Sequence, residues 1–334
     1  MRFNAHKAVF VVLYSVAISI SLSQRFSQFY NLSSELYQIM TSSITPTDNN
    51  IHKNPGSNTG LIMLNLILGS ALLYSVLVVG IFLLQRDFMY FPDQSRPNPA
   101  QSIAPEMKVV SYKTFDGIDI SSWYYPPRDN TFPVVVHFHG NAGNIGDRVN
   151  RARMLIDNGY GVLLAEYRGY GGNDGTPDEP GLMFDGKAAL DFLAGEGVSS
   201  ERIVIYGESL GSGVAVPLGM DLAFDGRQVR AMVLEAPFSS AVDVGRVHYR
   251  IFPVGLLLKD RFELTSRISA IRAPLLIIHG ENDAVVPMKL GQKLFAAALE
   301  PKESAWIVGA GHNNLYEFGA GEVVMEFLNR VSRN

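Results

Sequence analysis

The segment that most constrains this chain is Gly207-Glu208-Ser209-Leu210-Gly211, set between the apolar run Ile203-Val204-Ile205-Tyr206 and the small-residue stretch Ser212-Gly213-Val214-Ala215. A strand must become a helix there within a few residues. Glycines on both sides of the serine permit a strained backbone and bring strand and helix too close for side chains. The turn leaves the serine hydroxyl at a helix amino terminus, whose dipole favours developing negative charge. A bare Gly-x-Ser-x-Gly string is a common accident, and a turn serine can simply cap a helix. What distinguishes this one is the strand before it, the helix after it and the residues elsewhere that such a serine needs.

From about residue 105, short β-rich apolar runs alternate with amphipathic stretches. Strands are predicted over 109–113, 118–125, 134–139, 161–166, 202–206, 231–235, 275–279 and 306–308. Helices are predicted over 145–157, 181–193, 209–224, 288–299 and 315–331, each with an apolar stripe at helical spacing. That rhythm implies one α/β domain with a mostly parallel, doubly wound sheet that starts antiparallel, its chemistry at the carboxyl ends of the strands.

A serine hydroxyl is a poor nucleophile at neutral pH, so it needs a base to take its proton and a carboxylate to orient that base. Asp283 lies just beyond the strand expected at 275–279, in His279-Gly280-Glu281-Asn282-Asp283, with Glu281 as the rival carboxylate. His312 lies in Gly309-Ala310-Gly311-His312-Asn313-Asn314, a loop flexible enough to swing an imidazole toward the serine. The chain order Ser209, Asp283, His312 is the order found in α/β-hydrolases and differs from those of chymotrypsin-like and subtilisin-like proteases. Next to the strand at 134–139, His137-Phe138-His139-Gly140-Asn141-Ala142-Gly143-Asn144 would present a backbone N–H to an oxyanion. By analogy with hydrolases of this fold, the amides of Asn141 and Leu210 form that hole, each worth about 3 kcal/mol in a transition state. Metal binding by His137 and His139 is the competing reading; no third ligand is near, so no metal is expected. The glycines of 169–175 lack both the phosphate-loop Lys-Ser/Thr pair and dinucleotide-type spacing, and no cofactor is implied.

Residues 61–84 run 24 positions without a charge, about 36 Å as a helix, which suffices to cross the hydrocarbon core. Arg86 and Asp87, with Phe88, Tyr90 and Phe91, read as an interfacial anchor. A second apolar run over 8–22 follows Arg2 and Lys7 and reads as a signal peptide or a short first span, without an evident cleavage site. Residues 24–60 read as a polar linker. The expected organisation is therefore an extension over 1–60, a transmembrane helix over 61–84 and a catalytic domain over 85–334. If 8–22 also spans, the basic start of the chain favours a cytoplasmic catalytic domain.

Taken together, HGNAGN from His139, EYRGYGGNDG from Glu166, GESLG from Gly207, HGENDAVVP from His279 and GAGHNN from Gly309 resemble the α/β-hydrolase superfamily. More narrowly, the chain is similar to membrane-anchored hydrolases of the bud-emergence type, which share an amino-terminal anchor, a segment like Tyr90-Phe91-Pro92 and the Asn-Ala-Gly-Asn loop. The resemblance covers about residues 80–334 and implies Ser209, Asp283 and His312 as the triad, with the loop around Arg168-Gly169-Tyr170-Gly171 shaping the site. Some relatives are depalmitoylating thioesterases held to membranes by cysteine-rich amino termini; this chain has no cysteine, so that mode of attachment is absent.

A net charge of −4 with no dense Lys/Arg cluster sets polynucleotide partners aside. The one sizeable insertion, about 36 residues between Pro237 and Pro274, contains the apolar stretch 249–258, which would cap the site or pack on the sheet. The expected partners are a small-molecule or lipid-like ester and the bilayer, and the expected activity is ester or thioester hydrolysis through an acyl-enzyme. An aminopeptidase of the prolyl type and an inactive membrane-tethered binding module are the alternatives.

Overall fold

A computed structural model describes residues 55–332, and the chain divides into two compact units after Gly80. The apolar run expected at 8–22 lies outside the described residues. In the first unit, Pro55 opens helix α1 (Pro55–Leu84), where the missing N–H of proline costs nothing. Its Gly60–Leu84 portion is long and apolar enough to cross a membrane, and Leu61, Leu66, Leu68 and Leu73 are exposed. The helix starts six positions before the charge-free run, because a helix can begin on the polar residues that lead into an apolar one.

The second unit, Ile81–Asn334, is built on one eight-stranded sheet. Its strands are β1 (Lys108–Lys113), β2 (Asp119–Tyr125), β3 (Val134–Phe138), β4 (Gly161–Ala165), β5 (Ile203–Glu208), β6 (Ala231–Glu235), β7 (Leu275–Gly280) and β8 (Lys302–Ile307). They lie in the order β1-β2-β4-β3-β5-β6-β7-β8, with β1 and β2 antiparallel to their neighbours and the other six parallel. Strand β8 begins four residues before its expected start, because Lys302 to Ser304 belong to a sheet edge and so carry polar side chains that hide the strand from a hydropathy reading.

The central strands are buried on both sides, so they are apolar throughout and their alternate residues feed two cores. Val134, Val136, Phe138 and Ile205 pack on one face under helices α3 (Glu179–Gly195), α4 (Ser212–Phe224) and α8 (Met288–Ala297). Val135, Val162, Val204 and Val233 pack on the other under α2 (Val149–Asp157) and α9 (Ala320–Ser332). The insertion between β6 and β7 folds into three short helices, α5 (Ala241–His248), α6 (Val254–Leu257) and α7 (Thr265–Ile268). A separate parallel ribbon pairs Phe91–Pro92 with Ala142–Gly143.

Candidate active site

Strand β5 ends at Glu208, and Ser209 begins a single 3-10 turn that runs into α4. Ser209 has φ 49°, a left-handed conformation that a non-glycine residue holds only under constraint. The constraint is close packing. A Cβ at Gly207 would stand 2.8 Å from the Cβ of Ala215, and one at Gly211 would stand 1.9 Å from the carbonyl oxygen of Phe138 at the end of β3.

Ser209 Oγ lies 3.0 Å from His312 Nε2, and His312 Nδ1 lies 2.7 Å from Asp283 Oδ2. The three residues that the sequence marked are thus in one hydrogen-bonded chain, delivered from the ends of β5 and β7 and the loop after β8. Burial by itself would raise the pKa of Asp283, but the hydrogen bonds from His279 and His312 outweigh it and hold the carboxyl below its ordinary range. The Asp283 carboxylate also accepts backbone N–H bonds from Val285 at 2.9 Å and Val286 at 2.7 Å. It is therefore fixed as an anion beside the imidazole. Glu281, the rival carboxylate, is exposed on the same loop.

The loop that carries Asn141 is held from three sides. Tyr167 donates its hydroxyl to the carbonyl of His139 at 3.0 Å, and Tyr170 donates to the carbonyl of Asn141 at 2.8 Å, so the loop after β4 does shape this region. The ribbon adds Phe91 N–H to the Asn141 carbonyl at 2.8 Å, and the Asn141 side chain donates to Met89. From below, Arg148 binds both oxygens of Glu208, at 2.8 and 3.2 Å, and donates to the carbonyl of Ala142 at 3.0 Å. Burial opposes ionisation of Glu208, yet Arg148 and Arg151 keep its carboxyl well below the usual range. The residue before the serine is thereby clamped to the loop that carries Asn141.

His137 and His139, the metal alternative, go to different partners. His137 stacks on Tyr206 at 4.8 Å, and burial pushes it down to about 3, so it is neutral. His139 is fully buried between Glu166 Oε1, 2.6 Å from Nε2, and the carbonyl of Gly140, 2.8 Å from Nδ1. Because a carbonyl only accepts, Nδ1 carries a hydrogen. Glu166 Oε2 accepts the N–H of Ile145, so this pair pins the loop at its start and its end.

Sequence reasoning passed over Glu166, Tyr167, His279 and the Arg148–Glu208 clamp. The available signal was position: Glu166, Tyr167, His279 and Glu208 lie at or within two residues of the carboxyl ends of buried parallel strands, whereas Arg148, just before α2, carried none.

The family described as serine aminopeptidase, S33, matches residues 129–252. The uncharacterized protein Rv2307c of Mycobacterium tuberculosis is 39% identical over 262 residues, covering 78% of this chain and 91% of that one. The lysophosphatidylserine lipase ABHD12 of Danio rerio is 32% identical over 197 residues, covering 54% of this chain and 51% of that one. Among solved structures, the esterase Pf2001 of Pyrococcus furiosus superposes with a TM-score of 0.58 at 21% identity, over 72% of this chain and 97% of that one.

Proposed function

The chain belongs to the α/β-hydrolase superfamily, and from that premise we propose that it is a membrane-anchored serine hydrolase that cleaves carboxylic esters or thioesters through an acyl-enzyme. The observation that carries this reading is the unbroken chain from Ser209 Oγ through His312 to Asp283 on a backbone strained at the serine.

In the proposed reaction, Ser209 Oγ attacks the acyl carbon as His312 Nε2 takes its proton, and Asp283 stabilises the imidazolium. The negative charge that forms on the acyl oxygen is met by the amides of Asn141 and Leu210. Collapse expels the alcohol or thiol, which leaves with the proton from His312. Water, deprotonated by the same imidazole, then attacks the acyl-serine; the carboxylic acid is released as Ser209 Oγ takes that proton back from His312. The anchoring part of the proposal rests on α1, whose apolar length suits a bilayer. A lipase among the relatives makes a long-chain acyl ester the first substrate class to try.

The test is hydrolysis of p-nitrophenyl esters of graded chain length by full-length protein and by Ser209→Ala. Amino-acid p-nitroanilides serve as the comparison, because the matching family is described as aminopeptidases. Ester cleavage that disappears with Ser209 supports the proposal, whereas cleavage of anilides alone would replace it with a peptidase.

A further inference from the structure

The segment that follows α1 is bound to the cap. The Gln85 side chain donates to the carbonyl of Leu257 at 3.2 Å and accepts the N–H of Lys259 at 2.7 Å. Arg86 forms a two-point pair with Asp260, which also accepts the hydroxyl of Tyr90, and the Lys259 ammonium lies 4.4 Å from the ring centre of Phe82. At its other end the cap touches the catalytic loop, with His248 Nε2 2.8 Å from the carbonyl of Val285, two residues past Asp283. The cap thus bridges the last turn of the apolar helix and the site.

Between these two moorings the cap shows apolar side chains to solvent: Leu256 is 87% exposed, Ile251 73%, and Tyr249 and Val285 half exposed. Single exposed apolar residues are ordinary, as Phe115 and Phe224 show elsewhere on this molecule. Here four are gathered in one short insertion and the loop it touches. The insertion is also basic within an acidic chain, with Arg246, Arg250, Lys259, Arg261, Arg267 and Arg272 against Asp243, Asp260 and Glu263, and Arg250 and Lys259 flank the exposed stretch in sequence. Exposed apolar side chains in a basic segment are the composition of an interfacial surface that lies on anionic lipid.

We infer that the cap seats on the bilayer, with Ile251 and Leu256 entering the headgroup boundary, so that the site takes an amphiphilic acyl ester directly from the membrane. This rests on the anchored-hydrolase reading above and assigns the cap a bilayer, not a protein, as its occupant. Gln85 and Arg86 stand immediately past the hydrocarbon-length helix, which places the cap segment bonded to them at the same interface.

The chain has no cysteine, so a single Leu256→Cys in the full-length protein can carry a bimane label in nanodiscs of phosphatidylcholine and phosphatidylglycerol containing nitroxide-labelled lipid. Phe224→Cys is the control, because Phe224 is a similarly exposed apolar residue at the last position of α4, outside the stretch 249–258. We expect the label at 256 to be quenched at least about threefold more than the label at 224; equal quenching overturns the inference. In the same nanodiscs, Ile251→Ser with Leu256→Ser should lower hydrolysis of an embedded monoacyl ester about tenfold while p-nitrophenyl acetate hydrolysis stays unchanged. Loss of both activities together, or of neither, contradicts it. Should the unsubstituted protein hydrolyse no ester, the hydrolase reading fails by itself, and the quenching result still decides whether the cap meets the membrane.

Discussion

The backbone of Gly211 is pressed against the carbonyl of Phe138 so closely that a single added carbon at Gly211 would stand 1.9 Å from that oxygen. This contact seats the Ser209 turn on the end of β3, from which the loop carrying Asn141, the proposed oxyanion donor, departs. Gly211→Ala forces the two apart. It should cost about 1–3 kcal/mol in stability and lower kcat by about 100-fold through misplacement of the oxyanion donors, with KM little changed. Parallel denaturation and kinetic measurements on the variant check both.

The His139–Glu166 pair supports the same loop by a different route. Removing the histidine leaves the fully buried Glu166 side chain without its hydrogen-bond partner. His139→Leu should therefore destabilise the protein by about 1–3 kcal/mol, while Glu166→Gln, which keeps a hydrogen-bonding group in place, should cost less. Chemical denaturation of the two variants in one detergent gives the order directly.

Asp283 sets both a rate and a pH dependence. Asp283→Asn keeps the shape but offers His312 Nδ1 an amide in place of an anion, and kcat should fall by about 10⁴. The folded-state pKa of Asp283 lies below the unfolded value of about 3.9, so its contribution to stability is complete above that value and is lost as the pH falls through the folded pKa. The difference in Tm between wild type and Asp283→Asn should hence be widest near neutrality and narrow below about pH 4. A difference that widens on acidification would mean that the carboxylate is not held as an anion in the folded protein.

Ser209, Asp283 and His312 were legible because each lies in a glycine-rich turn right after an apolar run, and turn glycines together with a buried parallel strand leave a strong pattern. The eight strands were legible for the same reason, except at the sheet edge, where the charged Lys302 and Glu303, the first half-buried with its ammonium on the carbonyls of Phe295 and Ala298, blur the start of β8. The support of the site was not legible. Glu166, Arg148 and Glu208 are charged residues that hydropathy assigns to solvent, and only the three-dimensional meeting of strand ends shows that they pair in the interior. The binding of Gln85 and Arg86 to the cap was equally hidden, since the partners lie more than 170 positions apart.

The central claim is that Ser209 is an activated nucleophile, and the most direct test is reaction of the detergent-solubilised, full-length protein with a fluorophosphonate, the adduct being located by mass spectrometry. The structure predicts one adduct, on Ser209, that vanishes in Ser209→Ala and slows in Asp283→Asn. Folded protein that takes up no label, or takes it up equally after Ser209→Ala, would contradict the account.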